Sequence, residues 1–389
     1  MGHQEKVAYL TAIRKRYRKG KRRTKKAILD EFCAVCGYHR KHAIRLLGKH
    51  ENTRSKAKRG RKSTYTEPRF FKALQNLWKA SDFICSRRLL AVIPLWLPFY
   101  EQSFGALDAD VRSRLVSISR ATLDRILKPL RARYRKGLCG TKPGSMLRNH
   151  IPIRTDNWDI TRPGFMEADT VAHCGTSLAG EFVWSLTMTD IHTAWTECRA
   201  VWNKGSQGVI EQVTDIERHI PFVLQGFDCD NGSEFLNYHL ERYFAVRDTP
   251  VQFTRSRPYK KNDNAHVEQK NWAHARHLLG YDRIENPDTL PLINDLYANE
   301  WSLYQNHFCP SLKLKTKTRI GSKYRKTYDP PKTSYQRILE SPDIAPDIKQ
   351  ALQITHASLN PFHLKKTIEQ KLKAIFKLVS VTSFVRHRI

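Results

Sequence analysis

Long apolar runs are scarce in this 389-residue chain. The longest, Leu89 to Tyr100, is too short to span a bilayer and is interrupted by Pro94 and Pro98, so no membrane partner is expected. No apolar core flanked by a cleavage site opens the sequence, and a secretory signal is not expected either. The eight cysteines are scattered and form no small disulfide framework, which fits reduced thiols and a cytoplasmic setting. Acid is the other shortage: 37 Asp and Glu stand against 68 Lys and Arg, a formal net charge of +31. Such a balance points to a polyanionic partner, with nucleic acid the first candidate.

The deficit of acid is uneven. Residues 1–62 carry 21 Lys/Arg against 4 Asp/Glu, a net of +17, whereas residues 165–280 carry 11 against 15, a net of −4. One segment is suited to grip an anion and another concentrates acid. At this length two to four modules are expected.

Residues 1–23 read as a basic lead-in, either a solvated tail or an arm that contacts phosphates. Thr24 to Cys36 has Ala27, Ile28, Phe32 and Val35 near one helical face, Gly37 supplies a turn, and Tyr38 to Leu47 forms a second helix. On that second helix Ala43, Ile44 and Leu47 are expected inward, and Arg40, Lys41, His42 and Arg45 outward for DNA. Helix, glycine turn and basic helix is the helix-turn-helix order. Cys33, Cys36, His39 and His42 are zinc-ligand types, but their spacing lacks the excursion a finger needs, so helix-packing cysteines are expected instead.

A polar, basic linker at 51–66 leads to a helical block: Pro68 to Ala80, Arg87 to Tyr100, Asp110 to Val116, and a helix capped by Ser119. The last of these is either a second helix-turn-helix, with Arg120 and Arg125 exposed and Leu123, Ile126 and Leu127 inward, or a structural spacer. From Phe165 the rhythm becomes β-rich. Strands are expected at 165–171, 181–189, 193–202, 222–229 and 251–255, with helices at 206–219, 233–246 and 263–279. That α/β order is how a ribonuclease H-like domain begins. Beyond it, Leu290 to His307 reads as helix, Leu312 to Ile320 as an exposed basic strand, and Pro361 to Val379 as an amphipathic helix that packs on the protein or a partner subunit.

The expected organisation is therefore multi-domain. It comprises a basic arm and helix-turn-helix domain (1–50), a linker (51–66), a second helical domain (67–137), a linker (138–163), an α/β catalytic core (164–282), and a basic C-terminal region with a helix (283–389).

Three carboxylates stand out within the core. Asp169 lies mid-strand, Asp230 ends the fourth expected strand before an Asn-Gly turn, and Glu268 lies on the helix after the fifth. Adjacent first and fourth strands would bring them together. Phosphodiester transfer needs such a set, because hard oxygen ligands hold the divalent ions that activate an attacking oxygen and stabilise a leaving one. Glu167 and Asp228 share the strand faces of Asp169 and Asp230 and are alternative ligands on geometry alone. Asp190, Glu234 and Asp263 read as turn or cap residues. Arg255, Arg257, Lys260, Lys261, Lys270 and Arg276 surround the third acid; they are either DNA contacts or a solvated charged face. Tyr259 is either a packed aromatic or a base-stacking one.

Asp169-Thr170-Val171, Asp230-Asn231-Gly232-Ser233-Glu234-Phe235 and the run Lys261 to Asn271 resemble the DDE-type transposases of bacterial insertion sequences, whose core is similar to that of retroviral integrases. Arg40 to Leu47 and Ser119 to Arg125 carry the same resemblance, which spans roughly residues 15 to 340; no matching motif is known for 341–389. The resemblance selects Asp169, Asp230 and Glu268 as catalytic metal ligands for two Mg²⁺ (or Mn²⁺) ions. It implies terminal inverted repeats and target DNA as partners, a homo-oligomer on DNA, and a bacterial, nucleoid-associated protein. A DNA-binding regulator with an inactive core, and a nuclease of the same fold, are the alternatives.

Overall fold

The computed structural model describes residues 2–48, 65–133, 160–229, 238–255 and 270–386, with Phe235 and Val267 between them. The chain divides into two compact units, Met1–Thr64 and Tyr65–Ile389.

The described residues of the first unit form three helices, α1 (His3–Lys19), α2 (Arg22–Cys36) and α3 (Arg40–Gly48). The basic lead-in is thus helical and packs against the next two helices. Leu10 and Ile13 are buried against Ile28, Leu29, Phe32, Cys36, Ala43 and Leu47. The inward face of α2 is rotated from the expected one: Val35 and Ala27 are exposed, while Leu29 and Cys36 are buried. Ile44 is likewise exposed. Positions 28, 32 and 36 follow the four-residue ridge of a helix, which 27 and 35 leave. Gly37 ends α2 at φ +67°, the left-handed conformation that glycine adopts without a Cβ clash, and its N–H donates to Cys33 O. Cys36 is buried and Cys33 packs against the same core.

In the second unit, α4 (Pro68–Ala80), α5 (Ser86–Phe104), α6 (Ala109–Ser117) and α7 (Arg120–Arg133) follow the expected helices closely. Ser119 Oγ accepts from Thr122 N at 3.3 Å, as an N-cap does. These helices do not stand apart. Leu77, Trp96 and Leu123 share one core with Tyr297, Tyr304 and Phe308 and with Ile368 and Ile375 of the long C-terminal helix (Pro361–Arg386).

The central sheet contains β1 (Phe165–Ala172), β2 (Val183–Asp190), β3 (Thr196–Trp202), β4 (Gly226–Cys229) and β5 (Gln252–Arg255), in the order β3-β2-β1-β4-β5. The first three strands form an antiparallel meander, and β4 and β5 run parallel to β1. The crossovers use α8 (Ser206–His219) and α9 (Tyr238–Ala245). First and fourth strands are neighbours, as expected. Strand β4 is shorter than predicted from sequence: its ladders with β1 and β5 both begin at Gly226, opposite Phe165 and Gln252. Gly164 occupies that junction at φ +111°, where a Cβ would meet Val223 O at 2.5 Å, and its carbonyl accepts from both Gln225 and Gly226. The Gly164 N–H donates to the buried Asp190 carboxylate, which also accepts from Thr193 N and Oγ1 and so sets the β2–β3 turn.

After β5 comes α10, a π-helical turn at Asn271–Arg276 continued by His277–Leu279. It is followed by α11 (Thr289–Leu296), a second π-helical stretch (Tyr297–Trp301) and α12 (Ser302–Phe308). An antiparallel hairpin of β6 (Leu314–Ile320) and β7 (Lys323–Tyr328) precedes the last helices. Among the described residues no helix is long and apolar enough to cross a membrane.

Candidate active site

Strand alternation gives the sheet two unlike faces. On one, Met166, Ala168, Leu186, Met188, Phe227 and Cys229 pack beneath α8 and α9. On the other, the register aligns a polar row across all five strands: Thr196, Thr189, Glu167, Asp228 and Thr254. Two residues further along β1, Asp169 lies opposite Thr187, which in turn faces Cys198.

Each described acid on this face is held by a donor. Glu167, 3% exposed, accepts from the Val267 backbone N–H at 3.0 Å. Asp228 accepts from Thr254 Oγ1 at 2.6 Å. Asp169 is half-buried and accepts from Thr170 N at 2.7 Å and from Asn271 Nδ2 at 2.6 Å. Charge-assisted bonds of this length fix a carboxylate in one rotamer. The partner of Asp169 is thus three positions after Glu268 in sequence, and the partner of Glu167 is the residue just before Glu268. A π-helical turn widens the backbone at Asn271, a distortion frequent at functional sites.

Of the three predicted ligands, only Asp169 is among the described residues; Asp230 and Glu268 lie outside them, as do Arg257, Tyr259, Lys260, Lys261, Glu234 and Asp263. Cys229, the residue before Asp230, pairs with Ala168, the residue before Asp169. Among the described residues no group of three or more His, Cys, Asp or Glu could hold a metal ion.

Lys270 is a correction. Expected to face DNA, its ammonium instead turns into the protein and donates to Ala194 O at 3.2 Å. That carbonyl, on a residue at φ +61° in the β2–β3 turn, also accepts from Ser334 Oγ. Burial, with the nearby charges of Arg337 and Arg88, pushes the Lys270 amine down to about 7. On the same helix His274 is buried and held well below the usual imidazole range by desolvation, hence neutral. Arg276 is half-buried, with its guanidinium over the Tyr281 ring at 5.2 Å. Arg255 closes β5 opposite Cys229.

The predicted DNA contacts of the helical segments are largely on the surface. Arg40, Lys41 and Arg45 are exposed and His42 half-buried; Arg40 pairs with Asp30, and Arg45 Nη2 lies 2.9 Å from His42 Nδ1. Arg120 and Arg125 are exposed, the latter donating to Thr122 Oγ1 at 3.2 Å. Sequence reasoning missed two residues of the site, Asn271 and Thr254. The position of Asn271 one helical turn beyond Glu268 is the signal that could have found it.

No protein-family model matches the chain. Two integrase catalytic cores are among the solved structures it is similar to. The core of BIV integrase has a TM-score of 0.28 and 14% identity, covering 46% of this chain and 94% of that one. The core of HTLV-2 integrase, in complex with magnesium (dimeric form), has the same TM-score and identity, covering 38% and 90%. The uncharacterized protein y4rM of Sinorhizobium fredii (strain NBRC 101917 / NGR234) is 43% identical over 329 residues, which are 82% of this chain and 91% of that protein. At that identity and coverage, this chain belongs to the same family as y4rM.

Proposed function

We propose that the chain is a DDE-type DNA transposase in which Asp169, Asp230 and Glu268 form the phosphodiester-transfer site. One observation carries the reading: Val267 and Asn271, which flank Glu268 in sequence, are bonded to Glu167 and Asp169 of the sheet's acidic face. Adjacent parallel β1 and β4 support it further, because β4 leads in sequence directly to Asp230.

The proposed donor set is carboxylate oxygen throughout, the hard ligands that Mg²⁺ or Mn²⁺ accepts. Asn271 fits that chemistry too, since its buried Oδ1 has no hydrogen-bond partner among the described residues. When bound, two such ions supply activation of the attacking oxygen and charge stabilisation of the leaving one. The chain's own part is positional. Asn271 holds the Asp169 carboxylate, Glu167 anchors the segment through Val267, and Lys270 ties the helix to the β2–β3 turn. The acids hold and do not attack: water would cut the end phosphodiester into a 3′-hydroxyl and a 5′-phosphate, and that hydroxyl would attack a target phosphodiester, releasing a target 3′-hydroxyl, with no covalent protein–DNA intermediate. The basic helices α3 and α7 would contact the element ends, and two ends cut together call for at least two copies on DNA.

The test supplies the full chain with a pre-cut element end, a supercoiled plasmid and Mg²⁺. Joined end–plasmid molecules are expected, and Asp230→Asn should abolish them. Fragments without joining would identify a nuclease, and DNA binding without any cleavage would identify a regulator with an inactive core.

A further inference from the structure

The β6–β7 hairpin has no part in the site above, and its composition is unusual. Between Leu314 and Tyr328 there are six Lys or Arg and no Asp or Glu. Every described side chain of the two strands is exposed, on both faces. Apolar and aromatic groups lie open among the cations: Ile320 is 59% exposed and Tyr324 41%.

A two-stranded ribbon with neither face covered is marginal in water. In its ladder Thr318 stands opposite Arg325 and Arg319 opposite Tyr324. The base, by contrast, is firmly built. Ser311 and Lys332 bridge the two ends, Arg337 donates to Ser311 O and Oγ at 2.8 Å, and Arg87 donates to Tyr328 O at 3.3 Å. A well-bonded base thus presents a cationic ribbon whose described side chains are exposed.

We propose that this hairpin is a nucleic-acid-binding ribbon that lies in the major groove of duplex DNA, with Arg319, Lys323, Arg325 and Lys326 on phosphates and Tyr324 against the groove wall. Charge complementarity selects a polyanion, and shape selects among polyanions. The major groove of B-form DNA admits a two-stranded ribbon, whereas the deep, narrow major groove of A-form RNA does not. None of these residues belongs to the carboxylate site, so the ribbon serves whether or not that site transfers phosphodiesters. It would add a hold on target or flanking DNA to that of the helical segments.

The experiment measures binding of the full chain to a random-sequence DNA duplex by fluorescence anisotropy, in EDTA, across a salt series. The variant Arg319→Ala/Lys323→Ala/Arg325→Ala/Lys326→Ala should bind at least about tenfold more weakly near 0.1 M salt, and its log affinity should fall less steeply with log salt by roughly three. The charge-preserving variant Lys323→Arg/Arg325→Lys/Lys326→Arg should bind like the parent, which separates lost charge from a melted hairpin. Unchanged affinity and salt slope in the alanine variant would overturn the proposal and leave the lysines as guards against edge-to-edge strand pairing. Equal losses on duplex RNA would overturn the assignment to DNA. Because no metal is present, a failure here is distinct from a failure of the transfer chemistry, which Asp230→Asn reports.

Discussion

The two faces of the central sheet are made from the same strands, residue by residue in alternation, and they do opposite things. Beneath α8 and α9, Met166, Ala168, Phe227 and Cys229 are wholly buried among apolar neighbours. One residue along, Glu167, Asp169 and Asp228 each require a dedicated hydrogen-bond donor. The apolar face holds the sheet by close packing. The polar face is costly to fold and keeps carboxylates in fixed directions, which is what a phosphodiester-transfer site needs.

The sharpest way to break this comparison is to exchange the consequences of substitution on the two faces. Phe227→Ala removes a buried ring that contacts Phe235, Phe244 and Phe253. It should cost about 3–5 kcal/mol in urea unfolding. A loss near zero would mean that this face is not the structural one.

A smaller effect is expected at Lys270. Its folded-state amine is depressed to about 7, below the 10.5 of an unperturbed lysine, so the folded chain disfavours the ammonium. The cost is fully present below pH 7 and is relieved as pH rises from 7 toward 10.5, where the unfolded chain binds the extra proton. Between pH 7 and 9 the urea midpoint of the parent should therefore rise relative to that of Lys270→Met. Parallel pH profiles for the two proteins would show that the ammonium is not withdrawn from water.

Much of the α/β region is legible in the sequence because its strands alternate or run apolar between clear breaks, and the helices between them carry apolar stripes. The adjacency of β1 and β4 is legible for the same reason: a meander followed by crossovers leaves few arrangements. Other features are hidden for identifiable causes. Helix α1 is masked by its charge, since six of its seventeen residues are Lys or Arg. Strand β7 buries nothing, so it has no apolar alternation to read. Lys270 reads in sequence like any solvated lysine; only the packing of α10 against the β2–β3 turn directs its amine inward. The role of Asn271 depends on a side chain from a strand 102 residues earlier, which no local pattern encodes.

The polar face is proposed to serve metal-assisted phosphodiester transfer, and Asp169 is the one proposed ligand among the described residues. The most direct test is Mg²⁺-dependent joining of a pre-cut end by Asp169→Asn, with urea unfolding measured on the same preparation. A loss of joining of about a thousandfold or more, several kcal/mol of transition-state stabilisation, is expected, with the unfolding midpoint nearly unchanged. Joining at the parental rate by a folded Asp169→Asn protein would contradict it.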